Sequence, residues 1–174
     1  ALHDTLTRLP NRILLEDRLD QAISKADREG THFALMFMDL DGFKAINDAY
    51  GHDVGDKLLI AVTERLLHLL KGQFTLARIG GDEFVLLAEG EGPDDAASLA
   101  NSLVRAIDSP FNLSPYELVV TLSIGIALYP HDGKTERELM FNADAAMYHA
   151  KHLGRGGRHN AESEHSAAST KNRS

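Results

Sequence analysis

Arg78-Ile79-Gly80-Gly81-Asp82-Glu83-Phe84 lies between two apolar runs, Phe74 to Ile79 and Phe84 to Ala88. Two such runs broken by a Gly-Gly pair read as a β-hairpin, with glycine supplying the φ > 0 conformation of a tight turn. The two acids after the glycines do not suit a plain turn. Adjacent carboxylates are poor strand formers and repel each other, and a single Asp or Asn would serve a solvated turn. For Gly-Gly-Asp-Glu alone, an acidic turn in water is the simpler reading. Two acids beside glycines, where a phosphate can come close to the backbone, suggest instead a cation site that handles phosphates.

A second stretch decides between these readings: Met38-Asp39-Leu40-Asp41-Gly42-Phe43-Lys44-Ala45-Ile46-Asn47-Asp48. Here too an apolar run ends in carboxylates. Two strands that deliver acids at one end of a sheet are an ordinary way to build a magnesium site. Together the two stretches resemble the GGDEF family, the diguanylate cyclases, and the hairpin carries the signature letters of that family in full.

The 174 residues are 43% apolar, enough for one domain with a real core. No apolar run is as long as a membrane span, and nothing reads as a signal peptide. Cysteine is absent, which removes disulfides and thiolate metal sites. The net charge of −8 argues against a general nucleic-acid surface. A nucleotide substrate remains compatible, because bound magnesium masks phosphate charge locally. The chain begins at Ala1, close to organised sequence, as expected of a domain cut from a longer protein.

Pro10 and Asn11 suit a turn that launches a helix over Asn11–Glu29, which Gly30 stops. His32 to Leu40 is nearly continuous apolar sequence, as in a central strand covered on both faces. A short helix is expected over Phe43–Asp48, a Gly-punctuated connection over Tyr50–Asp56, and long helices over Val54–Leu70, Ala96–Ile107 and Thr135–Leu153. Phe111 to Pro130 holds two more strand candidates, with Gly125 marking a bulge or a close backbone approach. Met36 and Met38 read as core filler. From Ala161 the chain is polar and reads as a disordered linker, which bounds the domain at 1–160. The expected class is α/β (α+β), a mixed sheet flanked by helices. The resemblance implies five strands in the sheet and a kinship with the palm of nucleotide cyclases and polymerases.

Asp4 to Arg12 also resembles the family, as its Asp-x-Leu-Thr-x-Leu-Pro-Asn-Arg opening, with Arg8 where glycine is usual; its expected role is structural. The resemblance further implies condensation of two GTP to cyclic di-GMP, with two Mg²⁺ (or Mn²⁺) in each active site. Asp39 and Asp82 are then metal ligands through their side chains, and Leu40 through its carbonyl. Glu83 helps hold the second metal or the nucleophilic ribose. Gly80 and Gly81 let nucleotide lie against the turn. Phosphates meet the free N–H groups around Phe43 and Lys44, where a helix opens. Lys151 and Arg155 fill the family's Lys-x-x-Gly-Arg arm, which reaches the γ-phosphate, although Gly156 follows where Asn is usual. As an isolated pair they would read as compensation of a helix dipole. Asn47 and Asp56 fill the guanine-reading positions.

His52 reads best as a histidine bonded within its own loop. His149 and His152 lie three apart but lack a third ligand for zinc. The family's product-inhibition motif, Arg-x-x-Asp, falls on Lys71-Gly72-Gln73-Phe74, so the primary inhibitory site is expected to be absent. The resemblance implies a homodimer, each 3′-OH attacking the partner's GTP, within the cytoplasmic part of a bacterial protein, free or membrane-anchored, with sensor and phosphodiesterase domains. The rival reading is a GTP-binding module that regulates an attached phosphodiesterase.

Overall fold

The run after His32 becomes β1 (Phe33–Asp41), and all nine of its residues are buried. The computed structural model describes residues 1–90, 92–153 and 158–160. β1 is buried because it has antiparallel neighbours on both edges, β3 (Glu83–Glu89) and β6 (Thr121–Tyr129). β2 (Phe74–Gly80) closes the hairpin outside β3, and β7 (Arg158–Asn160) runs parallel to β6. The sheet order is β2-β3-β1-β6-β7. The expected mixed five-stranded sheet is present, but only one of its strands comes from Phe111–Pro130. Phe111–Pro130 yields β6 together with β4 (Phe111–Leu113) and β5 (Tyr116–Leu118), which form a separate two-stranded ribbon. The fifth strand comes from residues after the last helix, too few to show a strand pattern.

Alternation along β1 sorts its side chains to the two faces of the sheet. Ala34, Met36, Met38 and Leu40 join the larger core cluster with Leu58, Val62, Leu66, Ala100 and Leu103. These last five come from α3 (His52–Leu69) and α4 (Pro93–Asp108). Phe33, Leu35 and Phe37 join the second cluster, with Leu15 and Leu19 of α1 (Arg12–Glu29) and Ala143 and Met147 of α5 (Glu136–Leu153). Asp39 and Asp41 share the odd parity, so they fall on the α1/α5 side. Met36 and Met38 are fully buried, as core filler should be.

Asn11 caps α1 by accepting from the Leu14 N–H at 3.1 Å, and Gly30 ends it at φ 67°. The expected connection over Tyr50–Asp56 is much shorter. α2 (Phe43–Tyr50) and α3 are separated by Gly51 alone, at φ 93°, and Gly55 and Asp56 are helical. Pro93 opens α4, where a missing N–H is harmless, so that helix starts before Ala96. Gly125 marks a close approach and not a bulge, since its pairing with Phe37 is in register. A β-carbon there would lie 2.1 Å from both the Ala143 carbonyl oxygen and the Met147 nitrogen. The backbone of α5 therefore rests on β6. Among the described residues no helix is long and apolar enough to cross a membrane.

Candidate active site

The hairpin ends in a bulge. The β2–β3 register shifts between Arg78 and Gly80, and Gly80 pairs with Glu83 across Gly81 and Asp82. Neither glycine has a positive φ, contrary to the expectation for the turn. The chain reverses at Gly81 and Asp82, and what the glycines contribute is room. A β-carbon on Gly81 would meet nothing within 4 Å, and the nearest atom to one on Gly80 would be a Glu83 carboxylate oxygen, at 3.2 Å.

The turn is held from behind by the opening segment. The Arg78 guanidinium donates to both Asp4 carboxylate oxygens at 3.1 Å and to the Gly81 carbonyl at 3.0 Å. The Arg78 N–H donates to the Pro10 carbonyl at 3.0 Å. Asp4 also accepts from the Thr7 N–H and hydroxyl, each at 2.8 Å. Burial alone would raise the Asp4 carboxyl, but Thr7 and Arg78 outweigh it and hold it below its ordinary value. The role of Asp4 to Arg12 is thus to brace the turn. Arg8 takes φ 67° within it, a left-handed conformation that suits glycine.

Strand pairing gathers the acids. Asp39 of β1 stands opposite Glu83 of β3, and the Leu40 N–H donates to the Asp82 carbonyl at 3.3 Å. Asp39 is 9% exposed; its Oδ2 accepts from Lys151 Nζ at 2.5 Å, while its Oδ1 is buried without a partner. Asp41, which closes β1, is held by the hydroxyls of Thr121 at 2.6 Å and Ser123 at 2.8 Å, with Lys151 at 3.9 Å. Burial, then the hydrogen bond and charge of Asp39, push Asp82 up to about 7. Glu83 is raised by burial and by Asp39 and Asp144, and Asp144 by burial and Asp39.

Among the described residues no three His, Cys, Asp or Glu side chains form a ready metal cage. The donor set nonetheless fits a hard divalent cation: carboxylate oxygens, one of them buried and orphaned, whose mutual repulsion an ion would relieve. Lys151 supplies the positive charge that such an ion would bring. Asp39, Asp82 and Glu83 are the residues that would hold it.

Of the residues expected to meet the nucleotide, Phe43, Lys44, Asn47 and Asp56 fall on α2 and α3. Gly42 precedes α2 at φ 77° with no side-chain cap, Lys44 is exposed, and the Phe43 side chain packs in the core, so only its backbone is free for a ligand. Asn47 is half-buried with its Oδ1 unpartnered, and Asp56 is exposed on the first turns of α3. Arg155 and Gly156 lie outside the described residues, as does the linker expected after Ala161. Lys71 is exposed, and Phe74 packs against the larger core cluster. His52 is the exposed first residue of α3 and not part of a loop, and the His152 ring meets Tyr148 edge-on at 4.0 Å.

Three residues of the site were not anticipated as such: Arg78, Asp41 and Asp144. Asp144 had a faint signal, since it stands seven positions before Lys151 and hence two turns away on the same face of α5.

The pattern of the family described as "Diguanylate cyclase, GGDEF domain" matches residues 1–157. The chain is 62% identical over 157 residues to the bifunctional diguanylate cyclase/cyclic di-GMP phosphodiesterase MucR of Pseudomonas aeruginosa, which covers 90% of this chain and 23% of that protein. It is 40% identical over 153 residues to the cyclic di-GMP phosphodiesterase PdeR of Escherichia coli, covering 88% of this chain and 23% of PdeR. It thus spans about a quarter of the length of each. The GGDEF domain of TpbB (YfiN) from Pseudomonas aeruginosa superposes with a TM-score of 0.89 at 40% identity, over 91% of this chain and 94% of that one. The fold that carries the hairpin is shared with these domains, and the chain belongs to the GGDEF family of diguanylate cyclase domains.

Proposed function

We propose that this chain condenses two GTP into cyclic di-GMP, releasing two pyrophosphates. The observation that carries the reading is the Asp39–Glu83 strand pairing, which sets Asp39 beside Asp82 and Glu83 at an open turn, with Lys151 on Asp39. In each of two steps a ribose 3′-hydroxyl gives up its proton to water or a nearby carboxylate, its oxygen bonds to an α-phosphorus, the bond from that phosphorus to the β-phosphate bridging oxygen breaks, and pyrophosphate departs. Magnesium, when bound, neutralises charge on the leaving group and polarises the attacking hydroxyl. The chain's own part is positioning. Asp39 and Asp82, with the Leu40 carbonyl, hold the ion, and Glu83 orients the second ion or the ribose. Gly80 and Gly81 leave room for the phosphates, while the opening N–H groups of α2 and the Lys44 and Lys151 ammoniums receive them. Arg155 completes that arm. Asn47 and Asp56 read guanine.

One domain binds one GTP, so the catalyst is a dimer, and activity per mole should rise with protein concentration. Product inhibition at the usual separate site is absent in this reading. Phe74 spends its side chain on the core where a carboxylate would be needed, and Lys71 lacks the planar fork of arginine. Incubation of concentrated protein with GTP and Mg²⁺ should yield cyclic di-GMP. GTP binding without product at any concentration would favour a regulatory module instead, a reading that relatives named as phosphodiesterases make worth testing.

A further inference from the structure

Gly55 and Asn47 meet where α3 packs on α2. Gly55 is buried and helical, and its φ is not one that demands glycine. Space demands it. A β-carbon on Gly55 would lie 1.8 Å from Asn47 Oδ1 and 2.9 Å from Asn47 Cγ. With an ordinary carbon–carbon bond, the amide oxygen is no farther than about 3.3 Å from the Gly55 Cα, the range of a Cα–H···O contact. This accounts for a polar atom that is otherwise orphaned: Asn47 Oδ1 is buried without a hydrogen-bond partner. Turned the other way, the carboxamide would press two N–H donors against a C–H group and leave them unsatisfied, the costlier arrangement.

We propose that Gly55 is a positioning residue for base specificity: its missing side chain seats the Asn47 amide oxygen inward, so that the amino group Nδ2 is presented to the base. The inference rests on the guanine-reading role of Asn47 and Asp56 given above. A fixed donor beside the Asp56 acceptor matches the guanine edge, where O6 accepts while N1–H and the 2-amino group donate. Adenine reverses this, with a 6-amino donor and an N1 acceptor, and opposes the pair at both positions. Had the amide been free to flip, Asn47 could have met either base; the notch at Gly55 removes that freedom.

Calorimetric titration of α,β-methylene-GTP, which cannot be cyclised, and of the matching ATP analogue tests this in the presence of Mg²⁺. Gly55→Ala should weaken the guanosine analogue roughly tenfold or more and narrow its preference over the adenosine analogue. Alanine is the better helix former here, so the fold should survive. In an Asn47→Ala background the same change should add nothing, because Gly55 acts through Asn47. Wild-type affinity in Gly55→Ala, or an equal loss in the Asn47→Ala background, would overturn the inference. Asn47→Asp keeps the shape and removes the donor; it must cost at least as much as Gly55→Ala, or the donor is not the group that matters. If Asn47→Ala itself binds and discriminates like wild type, the guanine-reading role falls first and this inference with it.

Discussion

Among the described residues, carboxylates crowd at the end of β1 and again between the starts of α1 and α5. In the first, Asp39 is buried and Asp82 is pushed up to about 7 by burial and by Asp39. In the second, Glu136 is also pushed up to about 7, by burial and then by a hydrogen bond with Asp20 and the charges of Asp20 and Glu16. The number is the same but the surroundings differ. Glu16, Asp20 and Glu136 line an open cleft with Arg12, Lys134 and Arg137, and Arg12 lies 3.9 Å from Glu16. Water, a shared proton and nearby cations suffice there. The β1 acids sit on strands that fix their direction, and one oxygen of Asp39 is sealed from water with no partner. Carboxylates on the exposed faces of helices can rearrange around a proton; those on a sheet keep their geometry.

The largest effect should separate the two regions by function. Asp82→Ala or Glu83→Ala is expected to lower cyclic di-GMP synthesis at least about 100-fold, the scale for losing a charge-stabilising group, while circular dichroism shows an intact fold. Asp20→Asn and Glu136→Gln should leave synthesis close to wild type. A comparable loss in Glu136→Gln would mean that the regions do not differ in kind.

A smaller effect concerns pH. Asp82 and Glu136 both titrate higher in the folded chain than their ordinary values of 3.8 and 4.5. The native state therefore holds protons that the unfolded chain has released. Stability of the metal-free protein should fall as pH rises from about 4 to about 7 and then level off. Saturating Mg²⁺ should remove the share due to Asp82 and raise the melting temperature most at pH 8, leaving the share removed by Glu136→Gln. Thermal melts at pH 5 and pH 8, with and without Mg²⁺, read this directly. A pH slope that Mg²⁺ leaves untouched would show that Asp82 is not poised for an ion.

The smallest effect tests the brace behind the turn. Arg8→Gly relieves a left-handed residue at the cost of glycine's extra freedom in the unfolded chain, for a net gain of about 0.5–1 kcal/mol in urea denaturation. No gain would mean that Arg8 is held by something better than its backbone.

Local patterns in the sequence were enough for the hairpin, the central strand, the acids at their ends and the start of α1 at Asn11. What escaped it depends on distance along the chain. The Arg78–Asp4 clamp spans 74 residues and the Lys151–Asp39 bond spans 112, separations over which no periodicity runs. Gly55 looked like punctuation because glycine weakens helices in isolation, yet close packing against Asn47 makes it the residue that fits there. Gly80 and Gly81 suggested a positive φ that they do not adopt; they supply space instead. The fifth strand was missed because three residues, Arg158–Asn160, carry too little pattern to declare themselves.

The position of β1 has a consequence for biosynthesis. Its partners on both edges, residues 83–89 and 121–129, are translated later than β1 itself. Until they emerge from the ribosome, an apolar strand waits with two open edges, the kind of template that invites pairing with other chains. Slow elongation between Asp41 and Thr121, or a chain cut short before β6, should therefore raise the yield of insoluble protein more than the same interruption placed after α5.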